Sequence, residues 1–383
     1  MSHPVIPAER YAERLARALE RTAAAGIDAL LVGVGPDLRY LTGYTAMPLE
    51  RLTLLLLVPG EAPTAIVPRL ERSAAEAGLR GGVAIVAWEE TDDPYAIVAG
   101  RLRPVIAAGN RRLAVSDRLW ASHLLRLQAA VGDGLAFEAA SPLLRPLRMI
   151  KDPDEIALLR LAAEAADRVI VAIAAGPLVG RTEADVAREV RDRLIAEGHD
   201  EAGFSIVAAG QNAASPHHEP SDRVIEAGEP IVLDIGGSLG GYGSDISRTI
   251  WVTGGDPRRG PDETFRRIFD LVRDAQQEAT ASARAGVAAE RIDAVARGMI
   301  AAGGFGDRFI HRLGHGIGLE SHEDPYLVAG DATPIEPGMA FSIEPGIYLE
   351  GRYGVRIEDI VVATAAGPLA LNQAPRELLV VDG

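Results

Sequence analysis

The chain has 383 residues, 48% of them hydrophobic and 24% charged. These proportions belong to a globular protein with enough apolar material for a core, and they exclude a disordered or collagen-like chain. At roughly 150 residues per domain, the length predicts two domains or one large one. The net charge is −15, because 54 acidic residues outnumber 39 basic ones. Such a chain repels phosphate groups, so we expect neither nucleic acid nor a membrane as a partner.

Cysteine is absent. Disulfide scaffolds, thiolate zinc sites and thiol nucleophiles are therefore excluded. No apolar run approaches the roughly 18 residues that a membrane-spanning helix needs. The first ten residues also lack the apolar segment of a signal peptide. We therefore expect a cytoplasmic protein.

The first part of the chain alternates predicted helices with predicted strands. An amphipathic pattern predicts a helix over residues 9–25, and the apolar run 27–32 predicts a buried strand. Three further strands and two further helices are predicted at 52–58, 63–67, 83–87, 94–103 and 117–130. This alternation is typical of an α/β domain.

A break is predicted near 141–153, where prolines cluster. Asp152 followed by Pro153 predicts a helix start, with aspartate as the N-cap and proline in the first turn. That helix is predicted to end near 175, and a second covers about 182–197. We place the two domains at 1–148 and 149–383. We expect His3, His123 and His199 to be surface histidines.

Two segments in the second part of the chain have the same pattern, in which two acid-bearing apolar strands flank a glycine turn. An apolar strand containing Asp234 is followed by a glycine turn and a returning strand with Asp245. Later, Glu344 and Glu358 occupy the same places in a similar unit, so the chain contains a faint internal repeat. A lone charge inside an apolar strand is costly to bury, and these acids therefore need partners.

Metal ions are the simplest partners, because they turn the repulsion between carboxylates into binding. Oxygen ligands with one imidazole suit Mn²⁺, Fe²⁺, Co²⁺ or Zn²⁺. The segment between the two units supplies His311 and His315. Glycines on both sides of His315 favour an extended or looped backbone over a helix. The glycines at 236–243 do not form a phosphate loop, because a strand rather than a helix follows them.

These motifs resemble those of the pita-bread metallopeptidases, which include methionine aminopeptidase, prolidase and Xaa-Pro aminopeptidase. The motifs are Leu233-Asp-Ile-Gly, Ser244-Asp-Ile-Ser-Arg-Thr, His311-Arg-Leu-Gly-His-Gly-Ile-Gly, Ser342-Ile-Glu-Pro-Gly-Ile-Tyr and Gly354-Val-Arg-Ile-Glu-Asp. The run Asp37-Leu-Arg-Tyr-Leu-Thr-Gly-Tyr resembles the creatinase-type N-terminal domain of the proline-specific members. The resemblance implies a creatinase-like α/β N-terminal domain and an α+β pita-bread catalytic domain.

The resemblance also implies two bound divalent ions, manganese in the first place, with cobalt, zinc or iron as alternatives. The implied ligands are Asp234, Asp245, His315, Glu344 and Glu358. Asp234 would chelate one ion and His315 the other, Asp245 and Glu358 would bridge the two, and Glu344 would bind the second ion and also shuttle a proton. The implied catalytic and substrate-contacting residues are His217, His311, His322, Arg356, Tyr348 and Asp37.

The activity implied is hydrolysis of the Xaa-Pro imide bond by a hydroxide that bridges two metals, as in an Xaa-Pro dipeptidase. An Xaa-Pro aminopeptidase acting on longer peptides is the first alternative, and Asp37 is its best support. A repurposed amidase or lyase and a non-catalytic peptide binder are weaker alternatives. The implied partners are a small peptide with proline at P1′ and a second copy of the chain in a homodimer.

Overall fold

The computed structural model describes residues 4–383. The chain forms two compact units, one of Ile6–Arg148 and the other chiefly of Met149–Gly383. Within the described residues, no helix is long and apolar enough to cross a membrane.

The N-terminal unit is built on one six-stranded mixed sheet. Its strands are β1 (Ala29–Gly33), β2 (Leu54–Leu57), β3 (Thr64–Pro68), β4 (Ala84–Trp88), β5 (Arg112–Val115) and β6 (Ala136–Ala139). Their order is β4-β3-β2-β1-β5-β6, and the β1–β2 and β2–β3 pairs are antiparallel while the other pairs are parallel. The helices are α1 (Ala8–Ala24), α2 (Pro36–Thr42), α3 (Arg72–Gly78), α4 (Pro94–Ala108), α5 (Ala121–Val131) and α6 (Ser141–Met149). The predicted α/β class is confirmed, although β5, β6 and three short helices were not predicted.

The second unit begins with α7 (Pro153–Ala174), and the predicted cap is confirmed. The Asp152 side chain accepts hydrogen bonds from the backbone N–H groups of Asp154 and Glu155, and Glu155 completes a capping box. The helix α8 (Glu183–Ala196) follows. Both helices pack on a four-stranded sheet. Its strands are β7 (Glu201–Ala209), β8 (Glu229–Leu239), β9 (Tyr242–Val252) and β17 (Leu379–Val381), in the order β17-β9-β8-β7.

A second layer contains two helices, a five-stranded sheet and a two-stranded ribbon. The helices α9 (Glu263–Ser282) and α10 (Ala289–Ala302) share a core with these strands. The strands are β10 (Gly314–Gly316), β11 (Glu323–Leu327), β12 (Ala340–Ile343), β13 (Gly346–Leu349), β14 (Tyr353–Arg356), β15 (Asp359–Thr364) and β16 (Gly367–Ala370). The sheet has the order β11-β10-β12-β15-β16, and β13 pairs with β14.

The expected surface positions of two histidines are wrong. His123 is buried, because its ring stacks on Trp120 and its Nδ1 lies 2.7 Å from the Tyr95 hydroxyl. His199 is buried as well, with its Nε2 2.8 Å from the Ser244 hydroxyl. His3 lies outside the described residues.

Candidate metal centre

The register of the β8–β9 hairpin places its two acids on one face. Asp234 lies opposite Ser247, and Asp245 lies opposite Gly236. Side chains alternate along a strand with a period of two, and directly opposed residues of an antiparallel pair share a face. Asp234 and Asp245 therefore lie diagonally across the hairpin on one face. Gly236, opposite Asp245, is needed there because a Cβ atom would overlap the Ser244 carbonyl and the Phe204 ring.

The three-residue strand β10 carries His315 between β11 and β12. The backbones of these strands approach so closely that a Cβ atom on Gly314 would overlap the Ser342 carbonyl, and one on Gly316 would overlap that of Asp324. The predicted extended backbone around His315 is confirmed. The backbone N–H of His315 donates to the Ser342 hydroxyl at 3.1 Å, and this hydroxyl donates to Glu344 Oε1 at 3.1 Å.

An isolated bridge between Ser247 and Glu358 joins the two acid-bearing segments. The backbone N–H of Glu358 donates to the Ser247 carbonyl at 3.1 Å, and the Ser247 hydroxyl donates to Glu358 Oε2 at 2.8 Å. Ser247 thus fixes the carboxylate of a residue that is 111 positions away in the sequence. No local pattern signals this role, although Ser247 shares a strand face with Asp245.

The five predicted ligands fall into two overlapping groups. Asp234, Asp245 and Glu358 form one group, and His315, Glu344 and Glu358 form the other; within each group the ligand atoms lie within 4.8 Å of one another. Asp245 also lies near His315, with Oδ2 3.8 Å from Nε2. Two groups that share a carboxylate fit a pair of divalent ions.

An unpaired acceptor supports this fit. Asp234 Oδ1 is buried and has no hydrogen-bond partner among the described residues, whereas Oδ2 accepts from Arg356 Nη2 at 2.6 Å. A buried carboxylate oxygen without a donor is costly, and oxygen ligands of this kind suit hard and borderline divalent metals. Carboxylates and one imidazole match the donor set expected from the sequence.

The electrostatics of the site also favour a cation. Burial, together with the neighbouring Asp234 carboxylate, raises the pKa of Asp245 well above its usual value. Burial and the Asp245 charge do the same to the pKa of Glu358. Burial alone would raise the pKa of Glu344, but the hydrogen bond and charge of His315 lower it to about 2. These acids repel one another, and bound cations remove that repulsion.

Arg356 holds the side of the centre next to Asp234. Besides that carboxylate, the buried guanidinium donates to the Ser247 hydroxyl and the Tyr348 hydroxyl, each at 2.9 Å, and to the Pro216 carbonyl at 3.3 Å. Burial raises the pKa of Tyr348 to about 12, so its hydroxyl stays protonated. Having accepted from Arg356, that hydroxyl is free to donate.

The Tyr348 hydroxyl donates to His311, because only one tautomer of the His311 ring satisfies both of its nitrogens. His311 Nδ1 lies 2.8 Å from the Arg312 carbonyl, which only accepts, so Nδ1 carries the proton. The other nitrogen, Nε2, lies 2.9 Å from the Tyr348 hydroxyl and accepts from it. Burial lowers the pKa of His311, in keeping with a neutral ring.

His322 has the opposite tautomer. Its Nδ1 accepts from Arg312 Nη2 at 3.2 Å, which leaves the proton on Nε2. Burial, with the nearby His315 and Arg312, lowers the pKa of His322 to about 4, so the ring is neutral. Its Nε2–H remains as a donor, and the ring centroid lies 3.8 Å from that of His315.

These groups open onto a cavity of about 680 Å³. His217, His311, His322 and Arg356 line it together with all five predicted metal ligands. His217 faces it without a hydrogen-bond partner among the described residues. Tyr348 does not line it but is hydrogen-bonded to Arg356 and His311, and its predicted contact with substrate stays a prediction. Asp37 belongs to the N-terminal unit, where it accepts a hydrogen bond from Arg148 at 2.9 Å. Its predicted contact with substrate stays a prediction.

The fold and the centre define a class. Residues 157–365 match the metallopeptidase family M24, and residues 14–150 match the creatinase/prolidase N-terminal domain. The chain belongs to this metallopeptidase family and is a metal-dependent peptidase. The resemblance drawn from the motifs and the predicted fold class are both confirmed.

Three individual proteins show how far the similarity extends. The chain is 44% identical over 381 residues to the probable dipeptidase PepE of Mycobacterium tuberculosis, covering 98% of this chain and 97% of the relative. A prolidase structure from Thermococcus sibiricus is 35% identical with a TM-score of 0.89, covering 98% and 100% of the two chains. An X-Pro aminopeptidase structure from Thermotoga maritima is 30% identical with a TM-score of 0.80, covering 94% and 100%.

Proposed function

We propose that the chain is an Xaa-Pro dipeptidase, which hydrolyses the imide bond of dipeptides that end in proline. The observation that carries the proposal is the pair of ligand groups sharing Glu358 in a cavity lined by imidazoles. The similarity to a prolidase along nearly the whole chain supports this substrate class.

We propose that Asp234, Asp245 and Glu358 hold one divalent ion and that His315, Glu344 and Glu358 hold the second. Asp245 would be shared between the two ions as well, because its Oδ2 lies 3.8 Å from His315 Nε2. Bound ions of this kind polarise a carbonyl and lower the pKa of a water molecule. Manganese is our first choice, and cobalt, zinc or iron would suit the same donors. Arg356 keeps the Asp234 carboxylate oriented through its bond to Oδ2.

The side chains around these ligands have separate tasks in the proposed reaction. Glu344 takes a proton from water and gives it to the departing proline nitrogen. The Nε2–H of His322 donates to the carbonyl oxygen as negative charge develops there. His217 contacts the substrate from the loop that follows β7. The hydrogen bonds that run from Arg356 through Tyr348 to His311 hold the His311 ring in place beside the cavity.

An Xaa-Pro aminopeptidase is the second candidate, favoured by the similarity to the Thermotoga maritima structure. The two activities differ in what the site accepts beyond proline. The test is mass spectrometry of Mn²⁺-loaded protein incubated with Ala-Pro and with Ala-Pro-Ala, and metal-stripped protein serves as control. We expect cleavage of Ala-Pro alone. Release of alanine from the tripeptide would favour the aminopeptidase. If neither peptide is cleaved, both proposals fail and the repurposed amidase becomes the leading alternative.

We further propose that the chain has two domains, 1–148 and 149–383. We also propose that two copies of the chain form a homodimer. Closed two-fold dimers are the commonest assembly of soluble proteins. Sedimentation velocity tests the dimer, and a single species with the mass of one chain at micromolar concentration would refute it.

A further inference from the structure

The loop that carries His217 begins at the end of β7, at Ala209, and reaches Ser221. Within it, Pro216, His217 and His218 line the cavity. His217 makes no hydrogen bond to any described residue, so its position depends on how the loop around it is held. The loop therefore needs an anchor elsewhere in the fold.

Glu183 supplies that anchor from the first turn of α8. Its Oε1 accepts from the backbone N–H of Ala209 at 2.8 Å and from Asn212 Nδ2 at 3.0 Å. Its Oε2 accepts from His218 Nε2 at 2.8 Å and from the hydroxyl and backbone N–H of Ser221 at 2.7 and 3.1 Å. One carboxylate thus gathers both ends and the middle of the loop.

This carboxylate is an internal anion. The Glu183 side chain is 0% exposed, and burial by itself would raise its pKa, but the hydrogen bonds from Ala209, Ser221, His218 and Asn212 lower it. Hydrogen bonds to an ionised acceptor are stronger than neutral ones. The N-terminal end of α8 also favours negative charge at this position.

The same loop is connected to the proposed metal centre. The carbonyl of Pro216, the residue before His217, accepts from Arg356 Nη1 at 3.3 Å. The same guanidinium donates to Asp234 at 2.6 Å. Glu183 on one side and Arg356 on the other therefore fix the backbone on which His217 stands.

We propose that Glu183 is a positioning residue for hydrolysis, which anchors the loop so that His217 faces the substrate. The proposal rests on the proposed function, because it assigns Glu183 to the substrate contact made by His217. Glu183 makes no hydrogen bond to the proposed ligands and does not line the cavity, so it acts through the loop that carries His217. Its sequence signal is weak, since an acid after the cap Thr182 is ordinary for a helix start.

The test is a double-mutant cycle of Glu183→Gln and His217→Ala, with Ala-Pro as substrate. Gln is isosteric, but its NH₂ group cannot accept from Ser221 and His218. We expect Glu183→Gln to lower kcat/KM on the order of 10- to 100-fold, as a misplaced contact does. In the His217→Ala background the same change should cost less than about twofold, because the group it positions is gone. If the double variant instead loses the product of the two single-variant losses in kcat/KM, the proposal is overturned.

Asp167→Asn is the matched control. Asp167 is also a buried acid; it accepts from Asn372 Nδ2 at 3.2 Å and from the Gln373 backbone N–H at 2.5 Å, and it does not line the cavity. This variant should keep the wild-type kcat/KM after correction for the folded fraction. An equal loss there would show that Glu183→Gln reports general destabilisation and would overturn the assignment.

Hydrogen exchange supplies a readout that does not depend on the reaction. Amides of residues 210–221 should exchange faster in Glu183→Gln than in the wild type, and those of α7 should not. Unchanged exchange would overturn the anchoring role, whereas a wild type that leaves Ala-Pro intact would refute only the proposed function. If Glu183→Gln does not fold, Ser221→Ala takes its place in the cycle, because it removes one of the donors to Glu183.

Discussion

Among single residues, Arg356 supplies the positive charge that faces the buried acids of the site. Its side chain is 3% exposed and bonds Asp234 Oδ2 at 2.6 Å. Removing one partner of a buried ion pair leaves an uncompensated charge. Without Arg356, the repulsion between Asp234 and the neighbouring carboxylates would add to the cost of burying the Asp234 charge.

We predict that Arg356→Met lowers the free energy of unfolding of the metal-free protein by about 3–5 kcal/mol. The measurement is urea denaturation in EDTA. Arg352→Met is the control, because its ion pair with Asp262 is half exposed on both sides and should contribute less than about 1 kcal/mol. Equal effects of the two substitutions would contradict the account.

Glu344 is predicted to be both ligand and proton carrier. Glu344→Gln removes the negative charge and the basic oxygen at nearly constant shape, so we expect kcat to fall on the order of 10²–10⁴-fold with the fold intact. Steady-state kinetics with Ala-Pro and the metal content of the purified variant provide the measurement. Glu350→Gln, on the exposed turn after β13, should change neither. An active Glu344→Gln enzyme would remove Glu344 from the mechanism.

The proposed ligands could be picked out from the sequence, whereas the residues that support them could not. Asp234 and Asp245 stand out because a charge is rare inside an apolar strand. Ser247 and Glu183 do not stand out, because their partners are 111 and up to 38 positions away and no local pattern encodes such distances.

At the scale of elements, β10 depends on glycine. A Cβ atom on Gly316 would overlap the backbone of Asp324, whereas one on Gly298 in α10 would meet nothing within 4 Å. The chain therefore offers a matched pair of glycines within one unit.

We predict that Gly316→Ala destabilises the protein by about 1–3 kcal/mol and weakens metal binding, because β10 must shift and carries His315 with it. Gly298→Ala should be neutral or stabilise by about 0.5–1 kcal/mol, since alanine is the better helix former. Urea denaturation and calorimetric titration with Mn²⁺ check both variants. Unchanged metal affinity in Gly316→Ala would show that β10 does not position the imidazole.

Elements with strong local signals were the predictable ones. The start of α7 was predicted because its cap, proline and acidic first turn are adjacent in sequence. The helix α9 was not predicted, although Asp262 caps it and Phe265, Phe269 and Val272 repeat at helical spacing. For the three-residue β10, the flanking glycines indicated only an extended or looped backbone, because its place in the sheet is set by pairing with β11 and β12.

At the scale of the whole molecule, the site joins segments that are far apart in sequence. The two acid-bearing segments meet through the Ser247–Glu358 bridge, through the Thr249 hydroxyl, which donates to the Arg356 carbonyl at 2.9 Å, and through the Arg356 side chain, which donates to Asp234. The faint internal repeat indicated paired units, but sequence could not supply the register that brings them together.

Metal should therefore stabilise the folded chain. Ions that bind only the folded state add about 2.7 kcal/mol at a hundredfold excess over the dissociation constant. We predict a higher Tm with Mn²⁺ than with EDTA, and no such difference in Asp245→Ala. Differential scanning calorimetry checks this, and an equal gain in the variant would place the binding elsewhere.

The most direct measurement is a titration of metal-stripped protein with Mn²⁺ in which bound ions are counted and Ala-Pro hydrolysis is followed in the same samples. We predict no hydrolysis by the stripped chain and activity that rises as the two proposed ion positions in each chain fill. Undiminished hydrolysis without metal, or a chain that holds both ions and leaves Ala-Pro uncut, would contradict this prediction.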